Sequence, residues 1–503
     1  MNVKNTESSY MSSFFNPGSL VIIGASNAPG NLGAPMCHSL KKLGYEGNVF
    51  VVNRKGEEVH GCAGFVSISE VPGKIELAVI LTPAKTVPRI MRECGEKRIS
   101  NVIIETAGFG ELGDGGKELQ QEIDLTAREY GIRFIGPNCI GSMDAHMRFT
   151  SFFGVKPGVF DELFDNPGET SIITQSGGVG TLVLRSLMSD VVGFSKIVSI
   201  GNRADIDESD MLEYLANDPL TGVICMYLEN IGDGKKLMRA ASGSDKPVLV
   251  YKAGTTSQGA RAASSHTAGM ANNNLVFESA CRQAGIVRLK SVTELYSMPK
   301  IFVSMPVLKG NRVVIVTNTG AFGTILTDLL VNSGMNPVVL SDKMQAAIVN
   351  TATVFNAANP IDLGPGIDGE AFLSVFRLLL ESDEVDGLVL AINVWQQSII
   401  DAIIRLTDLC REYGKPAAIY TPNSIERVLH VRRNFGIPAF ETPEEAVRAL
   451  VVSHRYHVIQ SKKSVNGSRN TMMRDKKFTG DKPVGADDTM IPGMVESVDQ
   501  AIE

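Results

Sequence analysis

His266 stands in the run GARAASSHTAGMA, residues 259–271, with small side chains on both sides. A histidine in such a loop offers a ring nitrogen to a group that must approach closely, such as a phosphoryl group. Its neighbourhood holds no Cys or His at metal-ligand spacing, so a zinc site is not expected there. Glu229, in MYLENIG, follows the apolar run VICMY. A carboxylate at a strand end accepts the Nδ1–H of a histidine and leaves Nε2 as the nucleophile. Ser176-Gly177-Gly178, in ITQSGGVG, reads as a strand running through a small turn into a helix. The N–H groups and dipole of such a helix start attract a phosphate, at about 0.3–1 kcal/mol for an exposed contact.

Two further segments bear on a nucleotide-like ligand. Gly24-Ala25-Ser26-Asn27 opens the turn GASNAPGNLG after the strand SLVII. Glycine permits the tight turn, and the helix that follows is expected to offer free N–H groups to a phosphate. The turn is not GxGxxG, and the next strand ends in Asn53-Arg54-Lys55 instead of the Asp or Glu that would hold a ribose. A cationic strand end suits an extra phosphate, as in NADP or coenzyme A. Glu105-Thr106 ends another apolar strand, and strand carboxyl ends are where α/β sheets bind ligands.

Apolar runs rich in Val and Ile must position these residues. SLVIIGAS, GNVFVVN, IELAVILTP and NVIIETAGF alternate with amphipathic stretches such as AKTVPRIMRECGEKR and GGKELQQEIDLTAREYG. Continuous apolar strands alternating with helices predict parallel sheets covered by helices on both faces. The openings IIGASNAPGNLG, IITQSGGVG and IVTNTGAFG share one pattern, strand then small turn then helix. Three stacked α/β units follow from it.

Composition narrows the function classes. A net charge of −7 gives a nucleic-acid partner no electrostatic support, and the single tryptophan, Trp395, argues against base-stacking platforms. No uninterrupted apolar stretch approaches membrane-spanning length, and no basic segment leads into an apolar run near the start. A cytoplasmic protein away from membranes is expected. The seven cysteines form no CxxC pair and read as reduced, buried thiols.

The segments VIIGASNAPGNLG, VVNRKG, ETAGFGELG, GIRFIGPNCIG, ITQSGGVG, SIGNRADIDESDMLEYLANDP, YLENIGDG and YKAGTTSQGARAASSHTAGMA resemble the NDP-forming acyl-CoA synthetase family. VTNTGAFG, NPIDLG and GIPAFETPEEAVRAL look like it too, so the likeness runs from about residue 14 to residue 457. Within the superfamily of succinyl-CoA synthetase it looks close to α subunits of ADP-forming acetate–CoA ligases. The resemblance implies a Rossmann-like CoA-binding domain over 14–145 and a CoA-ligase domain with a phosphohistidine loop over 146–300. A second flavodoxin-like CoA-ligase domain over 301–458 and a flexible tail over 459–503 complete the expected organisation.

The resemblance also assigns roles. His266 would carry the phosphoryl group and Glu229 would orient it. Gly24, Ala25, Ser26, Asn27, Asn53, Lys55, Glu105 and Thr106 would contact coenzyme A, and Ser176, Gly177 and Gly178 would bind phosphate. No ATP-grasp segment is expected in this chain, so ADP or ATP with Mg2+ would sit on a separate ATP-grasp β subunit, in an α2β2 assembly acting on a small organic acid or its acyl-CoA. The family's HTGALAG reads His266-Thr267-Ala268-Gly269-Met270-Ala271-Asn272 here. That departure keeps a second reading open, a non-catalytic CoA-binding or regulatory homologue.

Overall fold

The structure, a computed structural model, describes residues 10–153, 161–187, 193–261 and 273–478, with side chains of the last helix described up to residue 463. The chain folds into two compact units. The first holds residues up to Pro306 together with Asn423–Phe440, and the second holds Val307–Pro422 and the chain from Glu441.

The first unit contains two sheets. In the first, β1 (Ser19–Ile23), β2 (Asn48–Val52), β3 (Ala63–Phe65), β4 (Leu77–Ile80), β5 (Asn101–Ile104) and β6 (Arg133–Ile135) run parallel in the order β3-β2-β1-β4-β5-β6. All five residues of β1 are buried, because alternate side chains enter two different cores. Leu20 and Ile22 pack with Met36, Cys37 and Leu40 of helix α1 (Gly33–Leu43). Val21 and Ile23 pack with Ile90 and Met91 of α2 (Val87–Glu96) and Ile123 of α3 (Asp114–Tyr130). Chain direction in sequence order reverses between β1 and β4, which opens a crevice at their carboxyl ends.

The second sheet is built from β7 (Gly141–Asp144), β8 (Phe149–Thr150), β9 (Thr170–Thr174), β10 (Lys196–Ser199), β11 (Val223–Leu228), β12 (Val248–Lys252) and β13 (Ile286–Arg288). Its order is β13-β12-β11-β9-β10-β7-β8. Strands β9 to β13 are parallel, in the doubly wound order whose crevice lies between β9 and β11. β7 and β8 add an antiparallel edge that the sequence does not announce, since GSMD and FT are too short to show a period. β7 lies before residue 145 yet pairs with β10, so this strand joins the second sheet. The α1 side of the first sheet and the side of the second covered by α5 (Glu208–Asn217) and α6 (Gly234–Ser242) share one apolar core. Phe15 stacks on Tyr214 across it at 5.4 Å and 5°. Helix α4 (Gly177–Leu187) leaves the end of β9, and α7 (Asn274–Ala284) precedes β13.

In the second unit β14 (Arg312–Thr317), β15 (Asn336–Pro337), β16 (Ile361–Asp362), β17 (Gly387–Ala391) and β18 (Ala417–Tyr420) pair in parallel around β14 and β17. α8 (Ala321–Asn332) opens directly after β14, as the pattern IVTNTGAFG predicts. α9 (Gly369–Glu381) and α10 (Gln397–Tyr413) pack on each other, with Phe372, Phe376, Ile403 and Leu406 buried. The last helix, α11, runs from Pro443 to Phe478. It continues through residues 459–478, where the sequence reading places a flexible tail. The stretch contains no proline, and its one glycine, Gly467, costs a helix only about 1 kcal/mol. The rest of the expected tail, 479–503, lies outside the described residues.

Candidate functional site

The first crevice begins at Gly24, whose φ of +102° and whose N–H bond to Val52 O at 2.9 Å turn the chain away from β1. A side chain at Gly24 would meet Leu81 O at 2.7 Å, and one at Gly33 would meet Ala25 at 2.8 Å. The backbone of the turn is thus pressed against β4 and α1, and Ala25 is fully buried beneath it. Asn31 closes the turn: its Oδ1 accepts from Ser26 N (3.1 Å), Gly33 N (3.0 Å) and Ala34 N (3.0 Å), and its Nδ2 donates to Gly24 O (2.9 Å). This corrects the expectation that α1 offers free N–H groups. Two of its first-turn donors are satisfied within the protein, and only the helix dipole remains for an anion.

Asn27, exposed at the rim, donates from Nδ2 to Glu58 O at 2.8 Å and ties the turn to the loop after β2. Asn53 is buried and shapes that loop, accepting from Lys55 N and Glu57 N at 3.1 Å each and donating to Glu57 O at 2.9 Å. Its amide is spent on the backbone, and the exposed cationic groups of the segment are Arg54 and Lys55. The Lys55 side chain is 78% exposed and only loosely paired with Glu57 at 4.0 Å.

On the other side of the crevice, Thr106 donates to Thr82 O at 2.8 Å and fixes the end of β5 to that of β4. Glu105 is 5% exposed, and neither carboxyl oxygen has a hydrogen-bond partner among the described residues. Burial holds its pKa well above the ordinary carboxylate range. Gly141 has a φ of +95°, and a side chain there would lie 2.6 Å from Glu105 Oε1. Burial, with the Glu105 charge next, also pushes the neighbouring Cys139 thiol up.

Residues 140 and 141 connect the two crevices. A side chain on Gly177, the first residue of α4, would meet Ile140 Cγ2 at 2.6 Å. The end of β5 and the start of α4 therefore flank the same short segment. Ser176 Oγ accepts from Val179 N at 3.4 Å, and Ser176 O accepts from Gly180 N at 3.1 Å. Among the described residues nothing accepts from the N–H of Gly177 or Gly178, and Gly178 is exposed. Among the described residues, the start of α4 keeps the free donors that α1 lacks.

Across the second crevice stands Glu229, at the end of β11 and 9% exposed. Tyr227 Oη donates to its Oε1 at 3.3 Å, and Lys252 Nζ donates to its main-chain oxygen at 3.4 Å. Burial first, then the Glu229 charge, raises the Tyr227 phenol, while burial and Arg288 lower the Lys252 ammonium. Gln175 and Arg203, which the sequence reading did not single out, hold the Glu229–Asn230 dipeptide by direct hydrogen bonds. The position of Gln175, one residue past the end of β9 in TQSGG, was the available signal. His266 lies outside the described residues, 262–272. Among the described residues no three His, Cys, Asp or Glu side chains gather as a metal site would require, and no helix is long and apolar enough to cross a membrane.

Known proteins share this arrangement. A CoA-binding domain model matches residues 18–145, and a succinyl-CoA ligase-like flavodoxin domain model matches residues 167–302. The α subunit of ADP-forming acetate–CoA ligase I of Pyrococcus furiosus is 33% identical over 459 residues, covering 89% of this chain and 97% of that one. The α subunit of isoenzyme II from the same organism is 34% identical over 91% of this chain and 99% of its own length. Among solved structures, the dinucleotide-forming acetyl-coenzyme A synthetase 1 of Ca. Korarchaeum cryptofilum, in complex with phosphate and ADP, superposes with a TM-score of 0.81. It is 30% identical and covers 91% of this chain and 98% of that chain. On these matches and on the two crevices, the chain belongs to the NDP-forming acyl-CoA synthetase family, to which the similar α subunits of ADP-forming acetate–CoA ligases also belong.

Proposed function

We propose that this chain is the catalytic α subunit of an ADP-forming acyl-CoA synthetase. It interconverts acyl-CoA, phosphate and ADP with a small organic acid, CoA and ATP. Phosphate attacks the thioester carbonyl, giving an acyl phosphate and free CoA. His266 takes the phosphoryl group from the acyl phosphate and releases the acid. The phosphohistidine then gives that group to ADP, held with Mg2+ on an ATP-grasp β subunit. The α-subunit standing of the relatives supports a partner chain, and an α2β2 cytoplasmic enzyme is the assembly we expect.

The observation that carries the reading is the second crevice. Free N–H groups of Gly177 and Gly178 stand on one lip, and the buried carboxylate of Glu229 stands on the other. The donors suit a phosphoryl anion, and the carboxylate suits an imidazole that must stay nucleophilic. In the first crevice Lys55 offers charge to a CoA phosphate. Glu105 and Thr106 end the strand beside it, and the buried Glu105 carboxyl, without a partner among the described residues, fits a site completed by a polar ligand. Oriented donors around developing charge supply the largest share of such catalysis.

The test is His266→Asn, assayed with radiolabelled phosphate, an acyl-CoA panel and the partner subunit. Loss of protein-bound label with CoA binding intact supports the assignment, and turnover in the variant refutes it. The exchange of Gly and Ala after His266 favours one alternative, a non-catalytic CoA-binding homologue, which takes up no label with any acyl-CoA while still binding CoA.

A further inference from the structure

Glu229 does not hold its own position. Gln175, 8% exposed, places Oε1 at 2.5 Å from Glu229 N and 3.1 Å from Asn230 N, and donates from Nε2 to Asn230 O at 2.9 Å. A carboxamide combines a two-lone-pair acceptor with a donor, so one side chain fixes both peptide groups of the dipeptide. Arg203 grips from the other side. Its guanidinium donates to Asn230 O at 3.2 Å, to Asn230 Oδ1, and to Glu208 Oε2 at 2.7 Å. Arg203 has a φ of +49°, a left-handed backbone uncommon for a non-glycine residue, held by its N–H bond to Ile200 O at 3.0 Å.

We infer that Gln175 and Arg203 are positioning residues that aim the Glu229 carboxylate, an inference that rests on the proposed partnership of Glu229 with His266. With backbone fixed on both sides, the carboxylate has only its own rotamers left, and the Tyr227 hydroxyl at 3.3 Å selects among them. The same grip recurs in the second unit, where Asn318 Oδ1 accepts from Asn393 N at 2.8 Å and its Nδ2 donates to Asn393 O at 3.2 Å. The residue held there, Asn393, carries no carboxylate. The grip is thus a device of the fold, and the first unit has placed an acid in it. Among the described residues, charged and titratable groups hydrogen-bonded to Glu229 or to Arg203 include Tyr227, Lys252 and Glu208.

The informative variant is Gln175→Glu, which has the shape of the wild-type side chain. Its protonated carboxyl still accepts from both N–H groups and donates to Asn230 O, whereas its ionised form repels Asn230 O and Glu229. Assayed with the partner subunit near neutral pH, the variant should lose about a hundredfold in kcat, the scale of a small misplacement of a catalytic group. KM for acyl-CoA should stay within about twofold of wild type, because CoA binds at the other crevice. The ratio of variant to wild-type kcat should climb as pH falls. Arg203→Lys, which cannot span Glu208 and Asn230 together, should lower kcat about tenfold in the same KM-neutral way; it keeps the test decisive if Gln175→Glu does not fold. Loss of turnover in Glu229→Gln with wild-type kcat in both positioning variants would overturn the inference alone. Wild-type turnover in Glu229→Gln would overturn the Glu229 reading and the inference with it. A pH-independent loss shared equally between kcat and CoA binding would mark a structural role and also overturn it.

Discussion

Glu105 shows how much of a site hides in one residue's surroundings. Its place at the end of an apolar strand is legible in NVIIETAGF, but its isolation is not. The isolation follows from Gly141, Cys139 and the turn around Pro137, which close over it from 30 or more residues away in sequence. The buried carboxyl is raised, so the folded chain keeps a proton that the unfolded chain releases above its ordinary value of about 4.3. Its contribution to stability is fully present below that value and is lost as pH rises through the folded pKa, with a slope of up to about 1.4 kcal/mol per pH unit. Glu105→Gln should abolish that slope and gain thermal stability relative to wild type more at about pH 8 than at about pH 5. Thermal unfolding across this range checks it, and an unchanged slope would refute the assignment of a neutral buried acid. At the same scale, Glu229 was readable from the strand VICMY that precedes it. Arg203 was not, because its partners Glu208 and Asn230 come together only in the fold, and Gln175 was marked only by its place past the end of β9, its bonds being to main-chain atoms.

At the scale of the element, the strand, small turn and helix recur at β1–α1, β9–α4 and β14–α8, and sequence patterning finds all of them. It does not distinguish how their donors are used. Asn31 satisfies the start of α1, while among the described residues the N–H groups of Gly177 and Gly178 at the start of α4 have no acceptor. A methyl on Gly178 meets nothing closer than Ser176 Oγ at 3.8 Å, whereas on Gly177 it meets the β-branched Ile140 at 2.6 Å. Gly178→Ala should therefore leave phosphate KM and kcat within about threefold, and Gly177→Ala should cost about 1–3 kcal/mol through overpacking and weaken phosphate use. Steady-state kinetics in phosphate separates the two. The antiparallel edge poses a different problem. Lys196 on β10 is buried between Asp144 at 3.2 Å and Asp218 at 2.8 Å, and burial raises Asp144 despite that partner. Lys196→Met leaves two buried carboxylates uncompensated and should cost about 3–5 kcal/mol in urea unfolding. The link was invisible in the sequence, since β7 and β8 are too short to carry a period.

For the whole molecule, alternating apolar strands gave the right class and the right parallel sheets, because each strand is buried on both faces and must be apolar throughout. They did not reveal that the first two sheets share one core, joined where Phe15 meets Tyr214, and so form one unit. That sharing places the proposed CoA crevice and the proposed phosphoryl crevice on one body, linked through residues 140 and 141. Binding and transfer should be separable by mutation even so, since the groups assigned to each stand on different sheets. The most direct test is to incubate the chain and its ATP-grasp partner with radiolabelled phosphate and an acyl-CoA. Acid-labile, base-stable label should appear on this chain in wild type and vanish in His266→Asn, while that variant still binds CoA. Label of the same stability retained in His266→Asn, or no label in wild type with the partner present and CoA bound, would contradict the account.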